Sequence, residues 1–315
     1  MAIEERFVKR LLGGDRAAVA RAISYIEDER RDANDLLKKI YYHTGKAYRI
    51  GITGPPGAGK STITNKLAKL YRVDGKKIGI IAVDPTSPFT GGALLGDRVR
   101  MTDVELDEGV FIRSMASRGS FGGLSKKASE AADVLDASGC DVVLMETVGV
   151  GQSELDIVRV ADTTIVVLVP ESGDSIQAMK AGLMEIADFF VVNKSDRAGA
   201  EQAVMSLKMV LNFKHSPDGW TPDVIQTVAS EGKGIDRIAE IIAAHRNFLR
   251  DKNLQLKKRE QRVVELIREL VGERLREEFW NEKRDRFLQS KIEQLLSLQI
   301  TPYDLADRLM RDFEK

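Results

Sequence analysis

The run Gly54-Pro55-Pro56-Gly57-Ala58-Gly59-Lys60-Ser61 has the form GxxxxGK[ST]. Glycines let backbone N–H groups curl around a phosphate with no Cβ in the way. A helix starting at the end of the run adds the partial positive charge of its N-terminus. In this pattern Lys60 reaches the β- and γ-phosphates of a nucleotide, and the Ser61 hydroxyl is placed on Mg²⁺. Gly54 through Thr62 are therefore the expected phosphate-binding residues.

A second tetrapeptide concerns the base. Asn193-Lys194-Ser195-Asp196 reads NKxD after an apolar run. The Asp196 carboxylate can accept from both the ring N–H and the exocyclic amine of guanine, whereas adenine offers no such pair of donors. Asn193, Lys194 and Asp196 are the expected guanine contacts, with Val228-Ala229-Ser230 as a backbone clip on the guanine oxygen.

Three carboxylates are expected at strand ends or loops facing the phosphates: Asp84, Asp97 and Glu146. Mg²⁺ is a hard cation and takes oxygen ligands directly or through water, so these residues join Ser61 as candidate metal residues. Glu146 follows the apolar Val142–Met145, where a charge without a task would be expensive. Glu146-Thr147-Val148-Gly149 stands where many GTPases show DxxG. Gly149 would offer its N–H to the γ-phosphate and order the next loop only in the triphosphate state. Lys60, Asp97, Glu146 and Gly149 form the expected catalytic set. No Gln directly follows Gly149, and Glu146 or Asp97 is expected to orient the water.

The elements that must hold these groups follow from hydrophobic periodicity. Residues 1–45 read as helical, with Phe7, Leu11 and Leu12, then Val19, Ile23 and Ile26, then Leu36, Leu37 and Ile40 at helical spacing. Short β-rich runs follow at Tyr48–Thr53, Ile78–Val83, Val110–Arg113, Asp141–Glu146, Thr164–Val169, Asp188–Asn193 and Asp223–Thr227. They alternate with helical stretches at Lys60–Tyr71, Lys126–Ser138 and Ile176–Glu185. Continuous apolar strands separated by helices predict a doubly wound α/β domain with a mostly parallel sheet, placed at 46–246. Beyond Arg246 the strands stop. Val263, Ile267, Leu270, Val271, Leu275 and Phe279 mark one stripe of a long amphipathic helix, and Ile292, Leu295 and Leu296 another. Thr301-Pro302-Tyr303-Asp304 reads as a capped helix start. So small a helical tail needs a partner surface for its stripe.

Composition narrows the function. The chain of 315 residues carries 48 basic and 48 acidic side chains, which argues against nucleic-acid binding by bulk charge. One cysteine, Cys140, and three histidines exclude a disulfide framework and a histidine-rich metal tract. The start, MAIEERFVKR, lacks a secretory h-region, and no apolar run is long enough to span a bilayer. A soluble, cytoplasmic protein with no nucleic-acid or membrane partner is expected.

GITGPPGAGKST, VDPTSPFTGGALLGDRVRM, METVGVGQSE, PESGDSIQAMKAG and NKSD follow one another in order. Together they resemble the MeaB/MMAA (ArgK-like) GTPases over nearly the whole chain. The resemblance implies a SIMIBI-type GTPase domain with an N-terminal helical extension and a C-terminal helical arm, 247–315, at the interface of a homodimer. It implies a G-protein chaperone of an adenosylcobalamin-dependent acyl-CoA mutase that gates cofactor loading and removal and hydrolyses GTP slowly until the mutase stimulates it. By motif, Ser61, Asp84, Asp97 and Glu146 match the family's magnesium region. Pro170 through Lys180 matches its third switch, with Gly173, Asp174, Gln177 and Lys180 as the positions of interest. That switch commonly reads PGAGDELQGIK, and GGALLGDRVRM is closer to the G domain of a fused isobutyryl-CoA mutase. The resemblance accordingly implies methylmalonyl-CoA mutase, or a close relative acting on another acyl-CoA, as the partner. The rival readings are a metallochaperone GTPase, a kinase linked to amino-acid transport, and an interaction module with a vestigial nucleotide site.

Overall fold

A computed structural model describes residues 3–30, 32–85, 104, 106–117, 123–147, 153–170, 182–212 and 218–311, with backbone alone at 84–85, 116–117, 123–125 and 153–155. Asp97, Gly149, Gly173, Asp174, Gln177 and Lys180 lie outside the described residues, as does the Asp84 side chain.

Seven strands build one sheet: β1 Tyr48–Thr53, β2 Ile78–Pro85, β3 Val110–Ser117, β4 Val142–Glu146, β5 Thr163–Leu168, β6 Phe189–Val192 and β7 Val224–Gln226. Their spatial order is β3-β2-β4-β1-β5-β6-β7, and every pairing is parallel. The sequence-predicted strands are all present, with ends shifted by a few residues. β1, β4, β5 and β6 are buried along their whole length, as expected of strands covered on both faces.

Helices supply the cover. Before the sheet come α1 Glu5–Leu12, α2 Arg16–Glu27 and α3 Ala33–Ile40. Within the α/β region are α4 Lys60–Val73, α5 Gly123–Ala137, α6 Ser153–Val160, α7 Leu183–Ile186, α8 Ala200–Leu211 and α9 Ile235–Asp251. On one face Leu11, Ile23, Leu36 and Ile40 share a core with Leu135, Val143, Met145 and Ile157. The N-terminal extension is thus a further layer over α5. On the other face Ile63 and Leu67 of α4 and Ile238 and Ile242 of α9 pack on Ile50, Ile80, Leu144 and Val167. A Cβ on Gly51 of β1 would lie 2.6 Å from Ile157 Cγ1, so the lack of a side chain there lets α6 press onto the central strand.

The chain divides into two compact units, 1–258 and 259–315. The first extends past residue 246, because α9 continues to Asp251. The second holds most of α10 Leu254–Phe279, then α11 Glu282–Leu296 and α12 Pro302–Arg311. Its last helix starts at the expected cap, with the Asp304 amide donating to Thr301 Oγ1 at 3.1 Å and that hydroxyl donating to Asp304 Oδ2 at 2.7 Å. No residue of α10 or α11 is buried. Among the described residues, no helix is long and apolar enough to cross a membrane.

Candidate functional site

The phosphate loop leaves β1 and enters α4 at the carboxyl edge of the sheet, where ligands bind in open α/β folds. Gly54 has φ +134°, and a Cβ there would lie 2.0 Å from the Val167 carbonyl oxygen of the neighbouring strand. Gly59 has φ +92° and caps α4 without any side chain, so the first amides of the helix stay directed at the loop. Lys60 is buried, and its Nζ donates to the carbonyls of Gly54 at 2.8 Å and Pro55 at 3.0 Å. The charge therefore sits inside the loop. Pro56 and Gly57 are exposed at the tip, Ala58 is buried beneath it, and Thr62 is half-buried on the first turn.

Glu146 ends β4 beside Ile52 of β1 and Ala82 of β2 in register. The side chain is only 4% exposed. Ser61 Oγ donates to Glu146 Oε1 at 2.5 Å, and Thr64 Oγ1 lies 3.0 Å from Oε2. Two hydroxyls of α4 therefore hold the two oxygens of one buried carboxylate. This is how the fold satisfies a charge that the apolar run of β4 would otherwise strand. Asp84 lies on β2 two residues beyond Ala82, at the same edge.

The second motif is tied to the first by Asn193, which is 3% exposed. Its Nδ2 donates to Ala58 O at 2.8 Å, and its Oδ1 accepts from Thr227 Oγ1 and from the Ala229 amide, each at 3.0 Å. A Cβ on Gly59 would come within 2.2 Å of that Nδ2, so the glycine is also what lets the two motifs close. Lys194 adopts φ +57°, and the Ser195 amide and hydroxyl both reach Thr227 O at 3.0 Å. This turn presents the exposed Asp196 at the rim. The expected clip differs in detail. The Val228 amide donates to Lys233 O and the Ala229 amide to Asn193, so two of its three amides are bonded within the protein. Ser230 lies in the following 3₁₀ turn.

The structure thus brings together Gly54–Thr62, Glu146, Asn193 and the 228–230 loop. Sequence reasoning missed Thr64 and Thr227. The signal for Thr64 was its place four residues after Lys60, on the helix face that Lys60 starts.

The opposite edge of the sheet carries a second polar network, which the motifs did not reveal. Tyr48, Thr163 and His245 are linked by Tyr48 Oη–Thr163 Oγ1 at 2.6 Å and Thr163 Oγ1–His245 Nδ1 at 2.8 Å. Asp188 lies 3.4 Å from His245 Nε2 and 3.6 Å from Lys258 Nζ, and Lys258 also donates to Asp162 O at 3.0 Å. Trp220 donates from its indole N–H to Asp188 O at 2.7 Å and lies against the imidazole. Burial pushes His245 down to about 4 despite the pull of Asp188, so the ring is neutral near pH 7.

Comparison with known proteins agrees with this geometry. The profile described as "Methylmalonyl Co-A mutase-associated GTPase MeaB" matches residues 19–284. A putative GTPase of Pyrococcus abyssi is 47% identical over 98% of this chain and 96% of its own. The GTPase ArgK of Escherichia coli is 38% identical over 90% of this chain and 89% of its own. The mouse protein named methylmalonic aciduria type A homolog, mitochondrial, is 32% identical over 99% of this chain and 80% of its own. The crystal structure of a protein named LAO/AO transport system kinase superposes with a TM-score of 0.76 at 30% identity, covering 99% of both chains. With the phosphate loop and NKxD motif joined through Asn193, and with these relatives along nearly its full length, the chain belongs to the MeaB family of GTPases.

Proposed function

We propose that this chain is a Mg²⁺-dependent GTPase that acts as a G-protein chaperone of an adenosylcobalamin-dependent acyl-CoA mutase. The observation that carries the reading is the family match over residues 19–284, whose description names association with methylmalonyl-CoA mutase. The mouse relative, named for methylmalonic aciduria, points the same way. The mutase served is methylmalonyl-CoA mutase or a close relative. Coupling to cofactor loading and removal runs through the third switch, with Gly173, Asp174, Gln177 and Lys180.

The residues present fit a guanine nucleotide with its metal. Gly54 and Gly59 let Val167 and Asn193 approach the loop backbone and hold its curl, and the α4 N-terminus suits an anion. Bound Mg²⁺ supplies the divalent charge that offsets the β- and γ-phosphates. Ser61 directs its proton to Glu146, which leaves the hydroxyl lone pairs for a cation. Lys60 holds its ammonium at the loop interior, Asn193 fixes the loop to the base-binding turn, and Asp196 selects guanine. Glu146 has both oxygens engaged by α4 and serves to hold Ser61. Orientation of the water then falls to Asp97, with the Gly149 amide at the γ-phosphate. The chain turns over GTP slowly alone, and the mutase completes the site.

The 247–315 arm is assigned to homodimerisation. Val263, Ile267, Val271 and Leu275 recur every fourth residue and are 38%, 54%, 51% and 48% exposed, a stripe that needs a partner. The protein is assigned to the cytoplasm.

Steady-state GTP hydrolysis with and without equimolar acyl-CoA mutases tests this reading. Stimulation by one mutase is expected and names the partner. Slow hydrolysis that none of them changes would sink the chaperone role and leave the GTPase. Similarity along the whole chain to a protein named as a transport system kinase favours a second reading, phosphoryl transfer to a transport protein. Label from γ-labelled GTP appearing on protein rather than in free phosphate would establish it.

A further inference from the structure

We infer that Thr64 is a positioning residue for the metal site: it holds Glu146 so that Glu146 keeps the Ser61 proton away from the cation. The inference rests on the guanine-nucleotide reading above and deepens it.

Thr64 is fully buried on α4. Its Oγ1 has two acceptors in reach, the Lys60 carbonyl at 3.0 Å and Glu146 Oε2 at 3.0 Å, and one proton to give. A carboxylate is the stronger acceptor, since a charge-assisted hydrogen bond is about twice as strong as a neutral one. The bond therefore goes to Glu146 rather than back into the helix. Ser61 grips the other oxygen at 2.5 Å, and the carboxyl group is fixed in orientation by two points three residues apart on a single helix. Remove the Thr64 bond and Glu146 loses the contact that ties its Oε2 to α4. Its grip on the Ser61 proton then weakens, and the Ser61 hydroxyl can present hydrogen instead of a lone pair to a cation. Thr64 touches neither nucleotide nor metal in this scheme, so its effect belongs to metal affinity and not to phosphate binding.

The test is a fluorescence titration of the full chain with N-methylanthraniloyl-GDP, in excess EDTA and across a MgCl₂ series. Thr64→Val keeps the shape and removes the hydroxyl. The half-saturating Mg²⁺ concentration should rise about tenfold, the size expected for losing a partner behind a metal ligand, while affinity in EDTA stays within about twofold. Thr64→Ser should restore the wild-type metal response, and Thr64→Ala should reproduce the valine result should that variant fail to fold. A Mg²⁺ midpoint within about twofold of wild type in the valine or alanine variant would overturn the assignment. Equal losses of affinity with and without Mg²⁺ would also overturn it, because they mark a general structural role. Failure of the wild-type chain to bind the nucleotide in either condition would instead overturn the underlying nucleotide reading, and the assignment with it.

Discussion

The two edges of one parallel sheet carry buried polar networks of similar size and different character. At the carboxyl edge Lys60, Ser61, Glu146 and Asn193 are held by loop carbonyls, by α4 hydroxyls and by each other. At the amino edge Tyr48, Thr163, His245, Asp188 and Lys258 connect strand starts to α9 and α10. The carboxyl edge has the N-terminal amides of α4 and a glycine-rich loop whose tip, Pro56 and Gly57, is exposed. The amino edge is closed by the Trp220 indole and the His245 ring tilted against it. Strand direction explains the difference. In a parallel sheet with right-handed crossovers, helices begin at the carboxyl edge and end at the amino edge, so donors gather at one end only. The first network surrounds an exposed loop tip at a helix N-terminus, and the second is enclosed by aromatic rings.

The largest effect that would sharpen this contrast is Lys60→Ala. Removing the buried charge from the loop interior should weaken GTP binding by about a thousandfold, measured by calorimetry, with little loss of thermal stability. Binding that survives within tenfold would mean the carboxyl edge is not the phosphate site.

Asn193→Ala tests whether the carboxyl edge also contributes to stability. It strands the Ala58 carbonyl, the Thr227 hydroxyl and the Ala229 amide, so denaturant unfolding should show a loss of about 3 kcal/mol. An unchanged midpoint would show that the loops, not this side chain, tie the two motifs together.

The amino edge makes a pH prediction. The folded-state value for His245 is about 4, below the ordinary value of 6.5, so the unfolded chain binds more protons between those limits. Stability is full above pH 6.5 and falls as pH drops toward 4, by up to about 3 kcal/mol from this one group. His245→Gln should remove that part of the acid dependence in chemical denaturation while leaving GTP affinity at pH 7.5 within about threefold, as expected of distant sites. Equal acid sensitivity in both proteins would show that His245 is not the group responsible. A large change in GTP affinity would show that the two edges are coupled.

The smallest effect concerns base choice. Asp196→Asn should weaken GTP by about tenfold and favour xanthosine triphosphate, since the amide supplies a donor where guanine also donates. Unchanged GTP affinity would remove Asp196 from the site.

The carboxyl edge was legible because its chemistry is contiguous. Eight consecutive residues make the GxxxxGK[ST] run and four the NKxD turn, and the structure sets the first between β1 and α4. The amino edge was not legible. His245, Trp220, Asp188 and Tyr48 are scattered single residues, and their pairing depends on which strand starts lie side by side. Within the readable edge, the Asn193 pin and the Thr64 hydroxyl escaped for the same reason. The Ser61–Glu146 bond joins residues 85 apart, and the Asn193–Ala58 bond joins residues 135 apart.

By itself the sequence determined the α/β class, through apolar runs that alternate with helical stretches, and the nucleotide chemistry, through motifs short enough to be read locally. It also indicated that the tail is helical with an apolar stripe that needs a partner surface. The tertiary structure decided the order β3-β2-β4-β1-β5-β6-β7, which sets β4 beside β1 and so delivers Glu146 to α4. Local patterns carry the period of each element and the residues at its ends. Contacts between elements distant in sequence depend on strand order and helix packing, and no local pattern encodes those.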